Sequence, residues 1–146
     1  MVDVGAHYVL ELYGCPPHLL NDLEFVKETL RKGAEYAATT LIEDVAHQFH
    51  PQGVTALALL AESHLSIHTW PETGYVAADA FTCGDRANPK KACEHFVAAF
   101  QPKTYSLRKI ARGQAVASEG RAESKERVVR IETPDVSLEP ADPIHN

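Results

Sequence analysis

Residues Glu62–Glu72 read ESHLSIHTWPE. Eleven residues hold two carboxylates, two histidines, two serines, a threonine and the only tryptophan of the chain. His64, Ser66, His68 and Trp70 alternate with Leu65, Ile67 and Thr69, the period of a strand with two unlike faces. The turn residues PETG follow, and then YVAADAFTC, Tyr75–Cys83, a second strand of the same period. This hairpin anchors the fold.

Upstream, Thr39–Phe49 and Val54–Ala61 form another predicted strand pair, joined by HPQG. His7–Cys15 is an apolar-rich strand closed by GCPP. Asn21 with Glu24 has the spacing of a capping box. Leu23, Val26, Leu30 and Ala34 then recur at helical spacing, predicting a helix to about Ala37. Downstream, Asn88-Pro89 starts a helix that runs to Phe100 before Pro102, and Thr104–Ile110 is a last strand. The order β-α-β-β-β-β-α-β predicts an α/β (α+β) two-layer sandwich, a mainly antiparallel sheet with both helices on one face. The other face carries apolar residues of the Val54–Ala61 and Tyr75–Cys83 runs, and a second subunit is its expected cover. The domain is expected over 1–112. From Gly113 the chain turns charged and Pro- and Ser-rich, the composition of a flexible tail with a weak strand at Val128–Ile131.

The 146 residues suit one domain, and 45% hydrophobic with 23% charged residues suits a soluble one. A net charge of −6 without a basic patch argues against nucleic acid. No apolar run is long enough to span a membrane, and the N-terminus lacks signal-peptide features, so a cytoplasmic protein is expected. Three cysteines without a CxxC speak against a disulfide framework and leave at least one free thiol.

The polar residues leave several chemistries to weigh. His64/His68 and His47/His50 have metal-pair spacing only on a helix, and here both pairs lie in strands, so no metal site is expected. Ser63 and Ser66 near two histidines leave a Ser-His hydrolase open, although GxSxG is missing. Glycine-rich phosphate loops are absent. Cys93, within a helix, reads as a buried small hydrophobe, whereas Cys83 at a strand end before a glycine does not. Phe49 and Trp70 read, on composition alone, as core aromatics. Asp79, inside YVAADAFTC, must face solvent or be paired.

ESHLSIHTWPE with GYVAADAFTCG, together with HYVLELY, HQF and PQGVTA, resembles the small pyruvoyl-dependent S-adenosylmethionine decarboxylases of prokaryotes. The similarity runs from about His7 to Arg112. It implies a proenzyme that cleaves itself between Glu62 and Ser63 into a β chain, 1–62, and an α chain, 63–146. Ser63 Oγ attacks the Glu62 carbonyl, the peptide becomes an ester, β-elimination releases the upstream chain, and Ser63 is left as a pyruvoyl group. The resemblance assigns the processing base to His68, polarisation of the scissile carbonyl or support of the oxyoxazolidine intermediate to Thr55, and the catalytic proton donor to Cys83. It assigns substrate contacts to Phe49, Leu65, Trp70 and Glu72. The pyruvoyl would form a Schiff base with S-adenosylmethionine, release CO2 and yield the aminopropyl donor for spermidine synthesis, with no metal. A homo-oligomer, a dimer of αβ units, is implied, with sites that draw on both chains. The alternatives are a pyruvoyl decarboxylase of another amino acid, such as arginine or ornithine, and an unprocessed, non-catalytic relative. In a regular strand Ser63 and His68 face opposite sides, so a backbone irregularity is expected at Ser63.

Overall fold

The computed structural model describes residues 5–113 and the backbone of 129–132. Its elements are β1 (Gly5–Tyr13), α1 (Pro17–Leu20), α2 (Leu23–Tyr36), β2 (Leu41–Gln48), β3 (Val54–Leu60), β4 (Ser63–Trp70), β5 (Tyr75–Thr82), α3 (Pro89–Phe100), β6 (Thr104–Arg112) and β7 (Val129–Glu132). The strands form one sheet in the order β2-β3-β4-β5-β1-β6-β7. Every neighbouring pair is antiparallel. The expected two-layer α+β architecture is the one found. The expected tail lies outside the described residues, except for β7, which pairs with β6.

Strict alternation decides which face meets the helices. Val54, Ala56, Ala58 and Leu60 of β3 and Val76, Ala78 and Ala80 of β5 are buried, together with Leu10, Leu12, Leu65 and Ile67. They pack against Val26, Leu30 and Ala34 of α2 and Ala92, Cys93, Phe96 and Phe100 of α3. Alanines line much of this sheet face, so large side chains from the helices fill the layer between. The two helices approach closely where Gly33 meets Phe96: a Cβ on Gly33 would lie 2.5 Å from the Phe96 ring.

Two details differ from the expected pattern. The cap of α2 is Asp22, whose side chain accepts from the Phe25 N–H. Asn21 is occupied elsewhere: its Oδ1 accepts from the Gly53 N–H and from Gln48 Nε2. That ties the β2–β3 turn to the start of α2, a tertiary task that overrides the local box. The short α1 after Pro16 was also not expected; Pro17 at its first turn needs no N–H partner.

Candidate active site

The face away from the helices holds the polar chemistry. The β3–β4 hairpin turns through Ala61 and Glu62, with Leu60 opposite Ser63. Glu62 is held from two sides. Its carboxylate accepts from the Thr40 N–H, with Oε1 at 2.6 Å. Its carbonyl oxygen accepts from the Cys83 N–H at 2.9 Å and from the Cys83 thiol at 3.2 Å. Cys83 can aim both donors there because it follows β5 directly, beside β4, and precedes Gly84 at φ 97°. Two donors converging on one carbonyl oxygen make the carbonyl carbon more electrophilic and would hold the oxyanion of an attack.

The residue after that carbonyl is strained. Ser63 has φ 139°, a region that side-chain-bearing residues rarely adopt and that costs roughly 1–3 kcal/mol. The irregularity expected at Ser63 is therefore present in the backbone. By strand register Ser63 belongs to the helix side, opposite Leu60 and Thr82. Its Oγ nevertheless lies 3.3 Å from Nδ1 of His64, which belongs to the open face.

His64 leads into a network centred on Asp79. Asp79 Oδ2 is 2.7 Å from His64 Nε2 and 2.8 Å from His7 Nε2, and the Ser66 hydroxyl donates to Oδ1. Burial alone would raise the Asp79 carboxyl, but the hydrogen bonds from Ser66, His7 and His64 bring it below the usual carboxylate value. Phe81 covers one side of the cluster, 5.3 Å from the His7 ring, and the Arg112 guanidinium sits 4.7 Å above Phe81. Of the two options for Asp79, the paired one holds. Ligand atoms of His7, His64 and Asp79 lie within 4.8 Å of one another, close enough for a cation. Hydrogen bonding accounts for the same distances.

His68 and Thr55 form a separate group. They are opposite residues of the β3–β4 ladder, with Thr55 Oγ1 3.1 Å from His68 Nδ1. Five strand residues separate His68 from Ser63, about 16 Å along the sheet. Within one chain the fold thus brings together Glu62, Ser63 and Cys83, and apart from them Thr55 and His68.

The aromatic residues cluster toward the far end of β4. Trp70 and Tyr75 lie 5.1 Å apart, and Tyr13 stacks on Tyr75 at 5.6 Å. Burial and the hydrogen bond it donates to Glu11 hold the Tyr75 hydroxyl well above its usual range. Trp70 (41% exposed) and Phe49 (46%) are surface residues, so the core reading of both is overturned. The strand period puts Trp70 on the open face, and Phe49 lies past the end of β2 with its ring 4.7 Å from His47. Glu72 is exposed in the β4–β5 turn. Leu65 is wholly buried on the helix side, so its side chain cannot meet a molecule on the open face. Only its backbone could. His7, Glu11 and Tyr75 were not singled out from the sequence as site residues. The available signal was alternation: a histidine and a glutamate at every second or fourth place in an otherwise apolar strand.

Residues 6–113 match the family model described as S-adenosylmethionine decarboxylase. An S-adenosylmethionine decarboxylase proenzyme from a Synechococcus strain is 51% identical over 109 residues, 75% of this chain and 85% of that protein. One from Prochlorococcus marinus is also 51% identical, covering 75% and 87%. Among solved structures, the adenosylmethionine decarboxylase of Aquifex aeolicus superposes with a TM-score of 0.74 at 35% identity, covering 83% of this chain and 99% of that one.

Proposed function

The chain belongs to the S-adenosylmethionine decarboxylase family, and we propose that it reaches activity by cutting its own Glu62–Ser63 bond. The reaction of the mature enzyme releases CO2 from S-adenosylmethionine and leaves the aminopropyl donor for spermidine synthesis. One observation carries the choice of bond: the Glu62 carbonyl accepts two hydrogen bonds from Cys83, next to a serine at positive φ.

The processing steps use residues already in place. Ser63 Oγ adds to the Glu62 carbonyl carbon, and the Cys83 N–H and S–H take up the charge on oxygen. The C–N bond then breaks, leaving an ester and a free amine on Ser63, and the strain at Ser63 is released. Removal of the Ser63 α-proton breaks the Cβ–Oγ bond and expels the upstream chain with Glu62 as its C-terminal carboxylate. The dehydroalanine left on the new chain hydrolyses with loss of ammonia. Since Ser63 itself supplies the carbons, the residues present fit a pyruvoyl group. When formed, that group supplies the electron sink for loss of CO2. In this reading the thiol of half-buried Cys83 returns a proton to the substrate carbon.

His68, with Thr55, is the base for the α-proton, and in this reading it acts across a dimer. The separation of about 16 Å within one chain rules against direct contact with Ser63 in the same protomer. Val45, Leu57 and Leu59 form an exposed apolar patch on the open face, between 44% and 55% exposed. Two copies packed open face to open face about a two-fold axis would cover it and lay one protomer's His68 over the other's Ser63. Phe49 and Trp70 then offer aromatic faces for the adenine and sulfonium, and Glu72 a carboxylate for the ribose hydroxyls. No helix among the described residues is long and apolar enough to cross a membrane. Three free thiols support a cytoplasmic location.

Intact mass of the purified chain under denaturing conditions tests the reading. Two fragments meeting at Glu62–Ser63 are expected, the C-terminal one lighter by one ammonia than hydrolysis would make it. A chain that stays whole on long incubation would overturn it.

A further inference from the structure

We propose that His64 is the general base that launches Ser63 onto the Glu62 carbonyl, and that Asp79 and His7 are the positioning residues that fix it for that task. The proposal rests on the self-cleavage reading and deepens it, because it assigns the first step, the N-to-O shift, to groups of one protomer.

The geometry is that of a serine–histidine–aspartate relay built on one sheet face. Ser63 Oγ meets His64 Nδ1 at 3.3 Å, and His64 Nε2 meets Asp79 Oδ2 at 2.7 Å. Asp79 is an acceptor when ionised, and its three hydrogen bonds keep it ionised. His64 must therefore carry its proton on Nε2, which leaves the Nδ1 lone pair pointing at the serine. The contact of 3.3 Å is long, as such contacts often are before the reacting geometry tightens. His7 and Ser66 hydrogen-bond the same carboxylate, which restrains Asp79 from swinging away. The positive φ of Ser63 is what allows a residue of helix-side register to reach an open-face histidine.

Proton and bonds balance without another reagent. The Oγ–C bond forms as Nδ1 takes the hydroxyl proton. The oxyanion sits on the Cys83 N–H and S–H. As the C–N bond breaks, Nδ1 returns the same proton to the Ser63 nitrogen. Imidazolium, present between the two transfers, is stabilised by Asp79. His68 has no part in this step and acts only on the ester.

The test separates the two steps. A chain carrying His68→Ala should stop at the ester, which neutral hydroxylamine cleaves at Glu62–Ser63 while leaving ordinary peptides intact. Fragment yield against time then reads ester formation. Adding His64→Ala to that chain should slow ester formation at least about 100-fold, the usual worth of a general base. Asp79→Asn, which preserves shape, should slow it at least about tenfold. Added imidazole should restore ester formation to the His64→Ala chain and not to a Ser63→Ala chain, a result that a purely structural role for His64 would not give. Equal ester yield with and without His64 would overturn the relay and leave the self-cleavage reading intact. A loss of ester that EDTA reproduces in the His68→Ala chain and zinc reverses would also overturn it, making the cluster a metal site. A wild-type chain that never breaks at Glu62–Ser63 would sink both.

Discussion

Co-expressing a Ser63→Ala chain with a His68→Ala chain asks whether the cleavage site draws on two protomers. Neither variant alone should complete processing: the first lacks the nucleophile, the second the base for elimination. In a mixed dimer one site joins Ser63 of the His68→Ala chain to His68 of the Ser63→Ala chain, and that site is intact. The other site lacks both. Random pairing of equal amounts puts about half of all protomers in mixed dimers. About half of the His68→Ala chains should therefore be cut, none of the Ser63→Ala chains, and decarboxylase activity should reach about one quarter of an equal amount of wild type. The two chains differ in mass, so intact-mass spectrometry reads each fraction directly. Five residues of strand rise, about 16 Å, separate His68 from Ser63 within one protomer. If mixed dimers form and no chain is cut, His68 does not act across the interface. If the His68→Ala chain alone completes processing, His68 is not the base.

Other expectations follow from single contacts. Cys83→Ala removes the thiol from the Glu62 carbonyl but keeps the backbone N–H, so self-cleavage should slow by less than the roughly 100-fold that loss of a full oxyanion donor costs, and should still finish. CO2 release by the cleaved product should then be nearly lost; normal turnover would remove Cys83 from the mechanism. Under a thiol-alkylating reagent at neutral pH, Cys83 should react first, because burial pushes the Cys15 and Cys93 thiols up to about 12. Peptide mapping would expose an opposite order. Asp79 is depressed in the folded state, so its stabilisation is present above the unfolded value near 4 and fades as pH falls through the folded one. In a Ser63→Ala background, urea midpoints should favour Asp79 over Asp79→Asn at pH 7, and the gap should narrow as pH falls below about 4; a constant gap would contradict the network.

Alternation made most of the sheet legible. β3, β4 and β5 fall within a residue or so of the expected runs, because their apolar period is clear and Pro and Gly mark the turns before β3 and after β4; the β3–β4 turn at Ala61–Glu62 carries neither. The open face was also legible as one that exposes apolar residues, as Leu57 and Leu59 do. Long-range pairing was not. Nothing local in HYVLELY says that β1 enters between β5 and β6, so the meeting of His7 with Asp79, 72 residues apart, could not be read. Asp79 itself gave a partial signal: a carboxylate in an apolar strand demands a partner without naming it. The capping error at Asn21 has the same origin, since its competing partners Gln48 and Gly53 are distant in sequence. Family motifs named His68 and Thr55 beside Ser63, and the strand geometry of one chain then separates them.

The strand order carries a consequence for the life history of the molecule. Cleavage after Glu62 would put β1, β2 and β3 on one polypeptide and β4, β5, β6 and β7 on the other. In the sheet these do not lie side by side as two blocks: β1 of the shorter piece is threaded between β5 and β6 of the longer one. The pieces are interleaved, as fingers are when hands are clasped. Assembly as one polypeptide makes every pairing intramolecular, whereas the severed pieces must find one another in solution with an empty slot between two strands. Folding would then be unimolecular only before the cut. Afterwards the midpoint of unfolding should depend on protein concentration even within a single αβ unit, and recovery from denaturant should fail for the mature form under conditions where an uncuttable Ser63→Ala chain regains its fold.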